Sequence, residues 1–378
     1  MTDPSYPHAR RVAAQVHTHI AQQVRLARER GETGLAPEAD VASIEAIIDA
    51  AFWASLRREE GYAPTISLAF LPPAQAVWPL TFEPQLALAP DALAKLAPAV
   101  KRAGIHLGVW PVDGSLRVWG TTRTLPALCF VLEVIAPGLL VVKYPHGVGG
   151  KFVNIAVLEG DQVKIVDEQS ANLPDCPEVV TALLGFTAPD SWADAVNVFV
   201  RIAVSMRAHG RGGILLVVPA DSDRWRQSIV KPTRYLVKPP FAQITELMRS
   251  SATDQKRRQW QEELTHAIDA VAELTAVDGA TVVNDRYEVL AFAVKIARHE
   301  DRSRVEEVMV TEPVEGIPAV RMHPAQIGGT RHLTAAQFVH DQRDASALVA
   351  SQDGHFTVFQ WSPCENLVHA HRVETLLL

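Results

Sequence analysis

The chain has 378 residues, of which 48% are apolar and 21% charged, and a formal net charge of −7. That length is too great for one small core and suits two domains. The acidic balance excludes a non-specific nucleic-acid binder, which needs surplus Lys and Arg to neutralise phosphates, but it leaves room for a local basic pocket holding a small anion.

Cys129, Cys176 and Cys364 lie far apart and outline no disulfide framework, as expected in a reducing compartment. The first residues, MTDPSYPHARR, lack the apolar run of a secretory signal. The apolar stretch Ala127–Val142 is broken by Glu133 and Pro137, and Ile214–Ala220 has only the length of a strand. The expectation is a soluble cytoplasmic protein with no membrane partner and no nucleic-acid partner.

In chain order, Val12, Val16, Ile20, Val24 and Leu26 recur about every four residues and predict a helix over 7–30, ended by Gly31. A second helix is expected from near Pro37, carrying Ile44, Ile47, Ile48 and Phe52. Strands follow at Thr65–Phe70, Pro79–Ala87 and Leu107–Pro111, with a helix over Pro90–Ala103. Five more apolar or alternating runs lie between Leu116 and Asp167, the last two joined by the turn signal Glu159-Gly160-Asp161. Trp53, Trp78, Trp110 and Trp119 stand in apolar contexts and are expected in a core or at a domain interface.

Near residue 190 the character changes. Ser191 is placed to cap a helix over Trp192–His209, which Gly210-Arg211-Gly212-Gly213 stops before the buried strand Ile214–Val218. Helices are expected at Phe241–Arg249, Asp254–Glu273 and Thr334–Gln342. Strands are expected at Ala280–Val283, Val289–Ile296, Ala319–Met322, Ala347–Ser351 and Thr357–Trp361. The fold class is therefore α/β, α+β overall: a C-terminal mixed sheet covered by helices, preceded by a separate α+β domain. The expected domains are residues 1–190 and 191–378.

Three short segments of the second half carry chemistry. Asp278-Gly279-Ala280 opens a strand, where a carboxylate can hold Mg²⁺ or Mn²⁺ and a glycine lets a ligand approach the backbone. Gly328-Gly329-Thr330-Arg331-His332-Leu333-Thr334 opens a helix, whose free amides bind phosphate; Arg331 adds a bidentate cation and Thr330 and Thr334 add hydroxyls. Ser351-Gln352-Asp353-Gly354 is a polar turn between apolar strands. Three other features have plainer structural readings. Gly147-Val148-Gly149-Gly150-Lys151 fails as a phosphate loop because Pro145 and Phe152 stand at two required positions. Lys256-Arg257-Arg258 with Trp260 reads as a solvated helix face. Cys364, His369 and His371 are too few for a zinc site.

In this order and context the three segments resemble the diadenylate cyclase family, whose pattern is a DGA strand start, a GTRHR-type loop entering a helix, and a strand ending in a Ser-acid-acid turn. The resemblance covers about residues 192 to 365. It implies that Asp278 binds the catalytic metal and helps activate a ribose 3′-hydroxyl, with Asp353 as a further metal ligand. It implies that Gly279 and Ala280 line the nucleotide site. Thr330, Arg331 and His332 would then hold the triphosphate with Thr334 supporting, Ser351 would contact phosphate, Gly329 would belong to the nucleotide site, and Arg331 and His332 would join Asp278 as catalytic residues. ATP would be the substrate, Mg²⁺ or Mn²⁺ the cofactor, cyclic di-AMP the product, and a head-to-head homo-oligomer the working unit. The sequence departs from the pattern at Leu333, where the family has a second arginine, and at Gln352-Asp353, where one residue is missing before the glycine. It is also longer over Arg298–Ile327 and Thr253–Glu262. A nucleotide-binding regulator without turnover is the alternative. The first half resembles a sensor attached N-terminally to such cyclases, and its ligand, a small molecule or a protein, is unreadable from sequence.

Overall fold

The computed structural model describes residues 5–102, 104–147, 152–167, 198–233, 235–250 and 258–378. About one third is helix and one third strand, in two mixed sheets that belong to separate units. Contacts divide the chain into Met1–Val166 with Leu378, and Asp167–Leu377. The expected boundary at 190–191, the capping role of Ser191, and most of the glycine turn 147–151 lie outside the described residues.

The first unit opens with α1 (Ala9–Glu29) and α2 (Val41–Ser55). In α1 the buried side chains Val12, Val16, Ile20 and Val24 form one stripe at a spacing of four. Helix α2 starts later than Pro37 because Asp40 caps it, its Oδ1 accepting from the Ser43 amide at 2.7 Å. An eight-stranded sheet follows. Its strands are β1 (Ile66–Phe70), β2 (Leu80–Ala87), β3 (His106–Val112), β4 (Ser115–Thr122), β5 (Val131–Ala136), β6 (Leu139–Pro145), β7 (Phe152–Glu159) and β8 (Gln162–Ile165). Their order is β2-β4-β3-β1-β5-β6-β7-β8, with β1 parallel to β3. A short helix, α3 (Pro90–Leu96), joins β2 to β3. Alternation along β1 sends Ile66, Leu68 and Phe70 into one core with α1 and α2, while Ala69 and Leu71 join a smaller cluster. Trp119 is buried, and its indole N–H donates to the Leu71 carbonyl at 2.7 Å. Trp78 corrects the expectation: it is 93% exposed, at a left-handed backbone position just ahead of the edge strand β2.

The second unit contains α4 (Val198–Ala208), α5 (Gln243–Met248), α6 (Arg258–Thr275) and α7 (Thr330–Asp341). Its nine strands are β9 (Gly213–Val218), β10 (Leu236–Phe241), β11 (Ala280–Asn284), β12 (Val289–Val294), β13 (Val308–Thr311), β14 (Val320–Met322), β15 (Ser346–Ala350), β16 (Phe356–Ser362) and β17 (Leu367–Arg372). The order is β10-β12-β11-β9-β15-β16-β17-β13-β14. Strands β9 and β11 run parallel at the centre. Ile214, Leu216, Val282, Val349 and Phe359 pack on one face against Ala335, Phe338 and Val339 of α7. Helix α6 buries Leu264, Ile268 and Val271 and is tied to α4 by Ser205 Oγ, which donates to Asp269 Oδ1 at 2.8 Å. Its Trp260 is buried and donates to the Leu247 carbonyl at 2.9 Å, so it has no free aromatic face for a nucleic acid; Lys256 and Arg257 lie outside the described residues. Strands β10, β13 and β17 escape the sequence reading because each is short or carries charged and proline residues. No helix among the described residues is long and apolar enough to cross a membrane.

Candidate functional site

The register of the central strands brings the three segments together. Ala280 at the start of β11 lies opposite Ile214 at the start of β9, and also opposite Val294 at the end of β12. Strand β15 runs antiparallel to β9, so that its last residue, Ala350, lies opposite Gly213. Asp278, Lys295 and Ser351 therefore emerge at the same end of the sheet. The N-terminus of α7 reaches that end, and a cavity of about 410 Å³ opens among these groups.

Gly279 makes this geometry accessible. It has φ +127°, and a Cβ there would sit 2.6 Å from the Ala293 carbonyl carbon and 2.8 Å from the Val294 oxygen. The close approach that requires a glycine is thus made first by β12 of the same chain. Gly213 is held likewise: a Cβ would meet the Thr275 carbonyl oxygen, at the end of α6, at 2.5 Å.

The Asp278 side chain is 92% exposed at the cavity mouth. Lys295 Nζ donates to its Oδ2 at 2.6 Å. That hydrogen bond and the Lys295 charge, with Arg331 further off, hold the carboxyl below its ordinary range, so it is ionised at neutral pH. The sequence reading missed Lys295. The signal was a lone cation just past the apolar strand Val289–Val294, antiparallel to the segment that carries Asp278.

Helix α7 begins at Thr330, one turn ahead of the expected Thr334, with Gly329 as its N-cap. Thr330, Arg331 and His332 consequently occupy the first helical turn. The amides of Thr330 and Arg331 are among those that a helix start leaves without intrahelical partners, and the helix dipole favours an anion there. Thr330 and Arg331 are exposed at the cavity. The Arg331 guanidinium lies over Gly212, where a Cβ would be 3.1 Å from Nη1. The Thr334 hydroxyl is turned back into the helix, donating to the Thr330 and Arg331 carbonyls at 3.0 and 3.1 Å.

His332 differs in kind. It is 3% exposed, and its ring covers Gly328 so closely that a Cβ there would be 2.3 Å from Nδ1. Its Nε2 has no hydrogen-bond partner among the described residues. Burial, then the charges of His355 and Arg372, push the imidazole down to about 4. At neutral pH it is an uncharged group in the cavity wall, unable to serve as a cation for a triphosphate without a large shift. Leu333 packs partly buried against the α7 core.

Ser351 lines the cavity, but its Oγ already accepts from the Asp353 amide at 3.3 Å. Asp353 itself stays in the exposed β15–β16 turn and is not part of the cavity lining. Asp278 is the one carboxylate in that lining, and no group of three His, Cys, Asp or Glu among the described residues could hold a metal. The donor set does not form a closed protein cage. A single carboxylate is compatible with a Mg²⁺ or Mn²⁺ ion whose other ligands are waters and phosphate oxygens.

Residues 33–123 match the family described as Probable sensor domain DACNV. The first unit thus contains a stretch similar to a probable sensor domain. DACNV is the N-terminal sensor of diadenylate cyclases, while the cyclase catalytic domain itself is not detected in this chain. No curated protein matches the chain. The sensor match covers less than half of the chain and lies entirely within the first unit, upstream of every residue of the cavity at Asp278.

Proposed function

We propose that the second unit is a diadenylate cyclase, joining two ATP molecules into cyclic di-AMP under control of the N-terminal sensor. One observation carries this reading. Asp278-Gly279-Ala280, Gly329-Thr330-Arg331-His332 and Ser351, distant in sequence, line a single cavity with a helix N-terminus on one wall and an ionised carboxylate at its mouth. A sensor-type domain in the first unit is consistent with it.

In this reading the first turn of α7 and Arg331 hold the triphosphate, which needs both amide donors and a cation. Asp278 stands at the reacting end, ionised and paired with Lys295 until a stronger cation displaces that ammonium. Mg²⁺ or Mn²⁺, held by Asp278 and phosphate oxygens, would supply charge neutralisation at the α-phosphate. The 3′-oxygen of one ATP forms a bond to the α-phosphorus of the other, its proton passes to solvent water, and the bond to the pyrophosphate oxygen breaks, releasing pyrophosphate; the second ring bond closes in the same way. Such transfer rests mainly on positioning and electrostatics. A cavity of this size holds one nucleotide, so two protomers must face each other, and a homo-oligomer follows as part of the proposal.

The test is mass spectrometry of the products formed from ATP with Mn²⁺ or Mg²⁺. Cyclic di-AMP from the wild type and none from Asp278→Asn is the expected result. Equal product from both proteins would remove Asp278 from the chemistry.

A second reading, nucleotide binding without turnover, is favoured by the Lys295–Asp278 pair and by Leu333 packed against the core. Binding of ATP or cyclic di-AMP with no pyrophosphate release under either metal would select it.

A further inference from the structure

The first unit has a larger cavity, about 910 Å³, whose lining falls wholly between Glu38 and Arg117 and hence inside the stretch that matches the sensor domain. It lies between one side of α2, the start of α3 and the β3–β4 hairpin. The α2 side is built from small residues, including Ser43, Ala46 and Ala50, which leave the space open. Phe70 and Trp110, with ring centroids 4.8 Å apart, give it an aromatic wall. The volume is in the upper part of the range for small-molecule sites, about 300–1,000 Å³.

Its charges are divided. Glu38, Asp40 and Asp49 line the α2 side. Each already has one partner: Arg28 for Glu38, the Ser43 amide for Asp40 and the Tyr6 amide for Asp49. A carboxylate has lone pairs for about four hydrogen bonds, so all three can accept more. On β4, Arg117 is half-buried, and its side chain has no hydrogen bond or ion pair among the described residues. Its guanidinium is therefore free to form a bidentate pair with a ligand carboxylate.

We propose that this cavity is the sensor's input site and that it takes a small amphoteric ligand of amino-acid or short-peptide chemistry. The ligand's carboxylate meets Arg117, its ammonium meets the acidic α2 side, and its apolar part lies on Phe70 and Trp110. The three carboxylates against one arginine favour a ligand with a positive group and disfavour a nucleotide or other polyphosphate. The proposal deepens the sensor reading and rests on it, but binding is measured directly and does not depend on whether the second unit makes product.

The test is calorimetric titration of the full chain with L-phenylalanine, L-leucine and their dipeptides. Phenethylamine, which lacks the carboxylate, and N-acetyl-L-phenylalanine, which lacks the ammonium, serve as controls. Saturable binding is expected for at least one zwitterion, and the free amino acids and dipeptides separate the two ligand sizes. Removing either charge, or substituting Arg117→Gln, should weaken that binding about tenfold or more. Ala46→Trp, which fills the cavity from an exposed helix position, should abolish it. The proposal is overturned if no amino acid or dipeptide binds. It is equally overturned if binding survives both substitutions unchanged, or if AMP binds in the cavity more tightly than every zwitterion.

Discussion

The Lys295 ammonium lies 2.6 Å from Asp278 Oδ2, so the one carboxylate of the cavity is neutralised by its own chain. Both side chains are largely exposed, and an exposed pair is weak enough to exchange for a stronger cation. Lys295→Ala is therefore expected to tighten Mn²⁺ binding in the absence of nucleotide by about two- to fivefold, the scale of an exposed ion pair. Asp278→Asn is expected to abolish it. Water-proton relaxation during a Mn²⁺ titration reads both, and unchanged binding in Asp278→Asn would place the ion elsewhere.

Gly279→Ala tests the backbone fit of β11 against β12. The added methyl would meet two backbone groups under 3.0 Å away at a left-handed φ, and neither can move without breaking the strand pair. The expected cost is about 2–4 kcal/mol in the denaturant transition of the second unit. A change below about 0.5 kcal/mol would show that the strands shift apart freely.

Acid should destabilise both units. His106 in the first and His332 in the second are pushed down to about 4, chiefly by burial, from an ordinary 6.5. Their unfolded forms take up protons that the folded forms refuse. The stability from burying them neutral is complete above about pH 6.5 and is lost as pH falls towards 4. His371, pushed down to about 3 by burial, adds to the second unit in the same direction. Denaturant midpoints measured from pH 7 to pH 4.5 should fall, and His371→Leu should flatten that dependence.

Leu333→Arg restores the cation that the cyclase pattern carries at this position. Because Leu333 packs against the α7 core, the substitution removes apolar contact and draws a charge towards it. A loss of about 1–3 kcal/mol is expected, read as a lower unfolding midpoint, rather than a simple gain in nucleotide binding.

Much of the fold was legible because it rests on local periodicity. The stripe Val12, Val16, Ile20 and Val24 belongs to a helix that any apolar core would bury. The run Ile214–Val218 reads as a central strand for the same reason. Strands β13 and β17 were not legible: Val308–Thr311 and Leu367–Arg372 are stabilised by pairing with each other, an interaction between residues far apart in the chain. The start of α7 carries no local signal because Gly329 caps it without a side-chain bond.

The site divides in the same way. The sequence by itself determined which residue types could do chemistry, because an acid-glycine strand start and a glycine-rich helix entry have local meaning. Only the tertiary structure decided which of them meet. The register of β9, β11, β12 and β15 brings Asp278, Arg331 and Ser351 to one cavity and leaves Asp353 in an outer turn. The same packing buried His332 as a neutral ring and set Lys295 on Asp278. Charge state and pairing depend on burial and on partners brought from elsewhere in the chain, and no short stretch of sequence contains either.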